Sequence, residues 1–131
     1  MSKPINVTES FSIHPTGATN TSNMSASSSY PSSNAMTDSN SNTYARYSLS
    51  RNTAGYTHYT FTLPDIPSAA TITSLTATVK VYINNLSYVS NTICQFYTNT
   101  TAKGSNYTFA NTSSSNVVNM TDTGTWTVSE L

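Results

Sequence analysis

The sequence predicts an all-β protein: a jelly-roll-like, two-sheet antiparallel β-sandwich with an extended Ser/Thr/Asn-rich N-terminal arm. Three observations lead there. Ser, Thr and Asn fill 62 of 131 positions, and their side chains compete for local backbone hydrogen bonds, which disfavours helix interiors. Thr, Tyr, Val and Ile suit a pleated, half-buried surface instead. Apolar residues recur with period two and nowhere with the i, i+3, i+4, i+7 spacing of a helix face.

Val7 to His14 alternates weakly, with Phe11 and Ile13 on one side, and reads as a short first strand. Residues 16–43 form one compositional block in which 19 of 28 are Ser, Thr or Asn. That block reads either as a flexible linker or as an extended, hydrogen-bonded arm lying along a sheet or a neighbouring subunit. The alternation sharpens at Tyr44–Ser50, where Ala45, Tyr47 and Leu49 oppose Tyr44, Arg46, Ser48 and Ser50. It continues at Tyr56–Leu63, with Tyr59, Phe61 and Leu63 opposite Tyr56, His58, Thr60 and Thr62. Arg51–Gly55 between them is expected to be a hairpin loop, with Gly55 free to take positive φ. Pro64 and Pro67 fix φ and lack a ladder donor, so they end that strand, and Ile66 between them is placed to plug one end of the sandwich.

The clearest strand is Thr73–Ile83, with Leu75, Ala77, Val79, Val81 and Ile83 alternating against Ser74, Thr76, Thr78, Lys80 and Tyr82. Further strands are expected at Asn91–Thr98, Tyr107–Asn111, Asn116–Thr121 and Thr125–Val128, with turns at Lys103–Ser105 and Asp122–Gly124. Leu49, Phe61 and Val79 are expected to line the inner sides of the two sheets, and Trp126 to join the core. The chain then falls into residues 1–43, the first strand and arm, and 44–131, the sandwich. One continuous domain, or a sheet completed by a partner strand, remains open at this stage.

Charged residues are only 8% of the chain, and five Lys/Arg balance five Asp/Glu. A neutral chain lacks the basic stripe that phosphate-backbone binding needs. No apolar run approaches the ~18–20 residues that span a bilayer. Neither nucleic acid nor membrane is therefore an expected partner. Met1–Asn6 holds one Lys and no apolar stretch, so no secretory signal is expected, and sequons such as Asn6-Val7-Thr8 are expected to stay unglycosylated. The lone Cys94 has no disulfide partner, which fits assembly in a reducing cytoplasm, and reads as a small buried hydrophobe.

Motifs for chemistry are sparse. There is no G-x-S-x-G, glycine-rich phosphate loop or H-E-x-x-H. Glu9, Asp38, Asp65, Asp122 and Glu130 are scattered, whereas a glycosidase pair must stand within about 5–10 Å. Asp65 and Asp122 sit in turns, where Asp caps the backbone. His14 and His58 lie in no ligand cluster and are the only bases available to Cys94 as a nucleophile. No catalytic residue, cofactor or metal is expected. Tyr44, Tyr56 and Tyr82 fall on polar strand faces, where their rings serve either as a stacking surface for glycan or as packing against a second sheet or subunit.

The stretch YARYSLSRNTAGYTHYTFTLPDIPSAATITSLTATVKVYI at Tyr44–Ile83 resembles a segment of structural proteins of tailed phages and prophages of Gram-positive bacteria. TTAKGS at 100–105 and GTWTVSEL at 124–131 look like the later strands of the same family, and the pieces together cover about half the chain. The pattern F-x-L-x-x-I-P-x-x-A-x-I-x-S (Phe61, Leu63, Ile66, Pro67, Ala70, Ile72, Ser74) is also similar to jelly rolls of the DNRLRE and carbohydrate-binding-module type. The family pattern runs on past T-W-x-x-x-E-L into another core strand, whereas the sequence here stops at Leu131. That departure implies either a sheet completed by a neighbouring subunit or a longer polypeptide.

The resemblance implies a non-enzymatic virion structural protein of a bacteriophage, assembled in the host cytoplasm. Its position would be a tail fibre, the neck or a capsid decoration, as a homo-oligomer of three or more copies contacting other virion proteins, with a role in host attachment. The alternative is a carbohydrate-binding module that uses surface tyrosines to hold a host cell-surface glycan.

Overall fold

The computed structural model describes residues 7–36, 43–50, 52–83, 91–98, 101–109, 115–124 and 126–131. Regular structure among them consists of β-strands and two short 3-10 helices, and the protein is all-β. The chain divides into two compact units, Met1–Pro64 and Asp65–Leu131, so the boundary falls inside the two-proline segment.

In the first unit, β1 (Pro15–Asn20) pairs antiparallel with β4 (Thr57–Phe61), and β2 (Met24–Ala26) with β3 (Tyr47–Leu49). The described part of the Ser/Thr/Asn block thus contributes two strands and a 3-10 helix, Ser32–Met36, rather than one extended arm; residues 37–42 lie outside the described set. Small polar side chains tie these elements together. Thr57 Oγ1 donates to Asn20 Oδ1 at 2.7 Å, and Asn20 Nδ2 donates to Ser32 Oγ at 3.1 Å, which anchors the 3-10 helix Ser32–Met36. The Tyr47 and Tyr59 hydroxyls meet at 2.5 Å and join β3 to β4. Burial, helped by that hydrogen bond, pushes the Tyr59 phenol well above its usual range.

Several expectations are corrected here. Residues 7–14 form no strand; the first strand begins at Pro15, where a missing N–H removes no interior ladder bond. Alternation alone does not make a strand when no edge pairs with it. The strands at 44–50 and 56–63 shorten to 47–49 and 57–61 and do not pair with each other, so no hairpin joins them. The positive φ falls on Asn52 (58°) rather than Gly55, Asn being tolerant of left-handed backbone. Gly55 answers a close approach instead: a Cβ there would stand 2.5 Å from Leu49 Cδ1 and 3.0 Å from Met24 Cβ. Leu49 and Phe61 do not line a core, being 49% and 46% exposed, and Val79 is half-buried. Two-stranded sheets have too little area to cover their own apolar side chains.

In the second unit, β5 (Leu75–Tyr82) pairs antiparallel with β8 (Ser115–Asp122) through eight uninterrupted register pairs. The odd residues of β5 are half-buried and the even ones exposed, as the alternation predicts. A second ribbon joins β6 (Ile93–Thr98) to β7 (Thr101–Thr108). Lys103–Ser105 is therefore inside a strand and is not a turn. Gly104 takes φ 70° where the register shifts opposite Gln95, whose side chain donates to the Gly104 carbonyl at 2.9 Å. An added Cβ on Gly104 would collide with Asp122 Oδ2, so glycine serves both the bulge and the close approach.

Of the strand expected at Thr125–Val128, residue 125 lies outside the described set and residues 126–128 form none. Trp126 makes a single antiparallel bridge with Ile72, and a 3-10 helix follows at Val128–Glu130. The Glu130 carboxylate accepts from the Thr127 N–H (2.8 Å) and from Thr127 Oγ1 (3.0 Å), holding the turn closed. Tyr107–Asn111 is replaced by Thr101–Thr108, its last two residues lying outside the described set. Asp122–Gly124 is a turn as expected, with the Gly124 N–H donating to Asp122 Oδ1 at 2.7 Å. Ile66 is half-buried.

Ile83, Phe109, Met120 and Trp126 are the buried hydrophobic residues among those described. All belong to Asp65–Leu131, and the Trp126 ring meets that of Phe96 edge-on at 5.9 Å. Truncating a buried side chain leaves a cavity, whereas a half-exposed one loses only part of its transfer energy. Met120→Ala should thus cost about 2–4 kcal/mol in urea unfolding and Leu49→Ala about 1 kcal/mol or less. Equal costs at the two positions would contradict this distribution of the core.

Candidate functional site

Side chains with recognition chemistry gather at three places. The first follows from strand alternation at Tyr44 and Arg46, which share a side. The Arg46 N–H donates to the Tyr30 carbonyl (3.0 Å) and its own carbonyl accepts from the Ser27 N–H (2.9 Å), which brings residues 44–46 beside Tyr30. The Tyr30 and Tyr44 rings stack at 4.6 Å and 12°, and the Arg46 guanidinium carbon stands 5.0 Å from the Tyr30 centroid. Hydrogen bonding to Tyr44 pushes the Tyr30 phenol up. The result is a cation–aromatic stack in which Tyr44 and Arg46 are exposed and Tyr30 is half-buried.

The second place is the side of β4 bearing Tyr56 and His58, whose rings stack at 4.6 Å and 27°. Tyr56 is exposed, and Thr16 and Thr62 hydroxyls meet at 3.0 Å further along the same β1–β4 ribbon. Tyr82, the third tyrosine that the alternation places on a polar side, is exposed on β5.

The third place lies in the second unit. The Lys103 ammonium sits 4.9 Å from the Trp126 ring centroid and forms an ion pair with Glu130 Oε1. That bond, together with the Thr127 donors, lowers the Glu130 carboxyl to about 2. Trp126 is 4% exposed, and its Nε1–H has no hydrogen-bond partner among the described residues. Lys103 reads from sequence as a turn residue; only the bulge in β7 turns it toward Trp126, and no local signal reveals that.

The residues weighed for catalysis are held in structural roles or stand apart. Cys94 is half-buried on β6, its thiol directed at the Tyr107 carbonyl (3.7 Å). Burial pushes that thiol up, away from the thiolate that nucleophilic attack needs. Asp122 caps the Gly124 turn, and Glu130 serves Lys103 and Thr127. Glu9, His14 and Asp65 are exposed in irregular segments, and Asp38 lies outside the described residues. Among the described residues no group of three His, Cys, Asp or Glu side chains is placed to hold a metal ion. No helix among them is long and apolar enough to cross a membrane.

Comparison with known proteins finds no matching family model, curated protein or solved structure.

The Lys103–Glu130 pair gives a signed pH dependence. A carboxyl that titrates near 2 in the folded chain, against its ordinary 4.5, contributes stability that is complete above pH 4.5. That contribution is lost as pH falls from there toward 2. The stability gap between the unsubstituted chain and Glu130→Gln, from urea unfolding at a series of pH values, should be constant above 4.5 and close near 2. A gap that does not narrow would remove the ion pair from the stability of the unit.

Proposed function

We propose that this chain is a non-enzymatic virion structural protein of a tailed bacteriophage. It works as a homo-oligomer in a fibre, neck or capsid-decoration position, its ribbons completing a jelly-roll-like sandwich, and it contacts other virion proteins and the host surface. The observation that carries this reading is the exposure of apolar surface in the first unit. None of its described residues is buried, while Val7, Phe11, Leu49, Tyr56 and Phe61 are among those exposed. Soluble monomers seldom leave so many large apolar side chains in water without a partner to cover them. Homo-oligomers cover such surface with repeated copies of one contact.

Low charge and a surface of hydroxyl and amide groups fit a particle component that stays assembled and needs no reaction centre. The resemblance at Tyr44–Ile83 supplies the phage context. Residues placed as Asp122 and Glu130 are, by hydrogen bonding with their own backbone, support the assignment of their chemistry to folding.

A second reading, a carbohydrate-binding module, is favoured by the exposed Tyr56–His58 stack and by Tyr82. Flat rings with a polar rim suit the apolar face of a sugar. On that reading, Tyr56→Ala abolishes glycan binding and leaves the oligomeric state unchanged.

Light scattering at micromolar concentration tests the first reading. A trimer or larger assembly is expected, and a stable compact monomer overturns it.

A further inference from the structure

The strongest unassigned feature is a strand-like segment that pairs with no strand among the described residues, together with a strand edge that none of the described residues occupies. Residues 7–14 carry Val7, Phe11 and Ile13 at alternate positions, with Thr8, Ser10, Ser12 and His14 between them. All eight residues are exposed, Val7 by 72% and Phe11 by 54%, and none makes a backbone hydrogen bond with another described residue.

The edge is on β5, and its geometry follows from one side chain. Tyr107 Oη donates to the Thr121 carbonyl (2.6 Å) and accepts from the Thr121 N–H (3.2 Å). The Thr121 backbone groups therefore point away from β5, and Thr76↔Thr121 is a non-hydrogen-bonded pair of the ladder. Because the register runs unbroken, the N–H and C=O groups of Thr76, Thr78, Lys80 and Tyr82 point outward along the other side of β5. Tyr107 thus guards the β8 edge at Thr121. Among the described residues β5 pairs with β8 alone, and none of them pairs with its other edge.

We propose that residues 7–14 of one copy add as a strand to the β5 edge of a second copy. This deepens the assembly reading above and rests on it. Lengths match: eight residues against an edge presented over Leu75–Tyr82. Sidedness matches too. With Thr8, Ser10, Ser12 and His14 bonded to the outward groups of β5, Phe11 and Ile13 continue the half-buried side formed by Ala77, Val79 and Val81. An antiparallel register with Ser12 opposite Thr78 sets Phe11 beside Val79 and Ile13 beside Ala77. Backbone bonds hold such an added strand and alternate side chains give its register. Glu9 interrupts the apolar set and is the one charged residue on that side, so it weakens the contact. The contact is heterologous, since donor and acceptor surfaces differ, and repeated copies close into a ring when the rotation allows.

The test uses the full chain with Cys94→Ser. Copies carrying Ser12→Cys are mixed with tagged copies carrying Thr76→Cys, Thr78→Cys or Lys80→Cys, oxidised, and separated without reductant. A mixed disulfide to at least one of the three positions is expected; its absence at all three overturns the strand-donor assignment. Thr78→Pro keeps the β5–β8 ladder, because that N–H faces outward, and should weaken association about tenfold. Glu9→Val should strengthen association about three- to tenfold by removing a charge from the apolar side. Association unchanged by both substitutions also overturns the assignment. A monomeric unsubstituted chain overturns the assembly reading itself, whereas an oligomer without the mixed disulfide overturns only the donor strand.

Discussion

Shortage of apolar side-chain mass governs this structure. With nearly half the chain Ser, Thr or Asn, too few large hydrophobic residues remain to cover every ribbon on both sides. What there is concentrates in Asp65–Leu131, where Ile83, Phe109, Met120 and Trp126 are buried. The uninterrupted β5–β8 ladder makes that possible, because eight aligned pairs present Ala77, Val79 and Met120 as one continuous side. The Met1–Pro64 unit has shorter pairings and no buried residue among those described. Its order rests on backbone ladders and side-chain hydrogen bonds such as Tyr47–Tyr59 and Thr57–Asn20.

Polar groups take over tasks that apolar packing performs in richer chains. Each such bond is a small net gain, since water offers an equivalent partner in the unfolded state. Hydrogen bonds of this kind therefore determine where strands sit more than how stable they are. Tyr107 illustrates the division: its ring side belongs to β7, while its hydroxyl occupies both backbone groups of Thr121 on β8. An edge capped in that way cannot accept another strand there. The two edges of the β5–β8 ribbon thus differ: Tyr107 occupies the backbone of β8 at Thr121, whereas none of the described residues pairs with the outer edge of β5.

Arg46, Lys103, Asp122 and Glu130 are spent on local architecture. Glu130 closes its own 3-10 turn and holds Lys103 over the Trp126 ring, and Asp122 folds back on Gly124. Arg46 lies along the Tyr30–Tyr44 stack. A carboxylate already satisfied by backbone and ammonium donors has a lowered proton affinity, which makes it a poor general acid near neutral pH.

Composition and period-two alternation by themselves determined the all-β class, the β5 strand with its correct sidedness, the break at Pro64–Pro67, the Asp122–Gly124 turn and the inward place of Trp126. These are local properties: propensity, side-chain parity and proline geometry act within a few residues. Alternation likewise put Tyr44 with Arg46, and Tyr56 with His58, on shared sides, but not Tyr30 beneath the first pair. Which strand pairs with which was decided only by the tertiary structure. Residues 7–14 alternate yet pair with no strand among the described residues, whereas the Ser/Thr/Asn block supplies β1 and β2, because a ladder forms where a partner edge lies alongside. Leu49 and Phe61 have the parity of core residues yet remain exposed: parity decides the side on which a residue stands, and burial depends on what, far away in sequence, comes to cover that side.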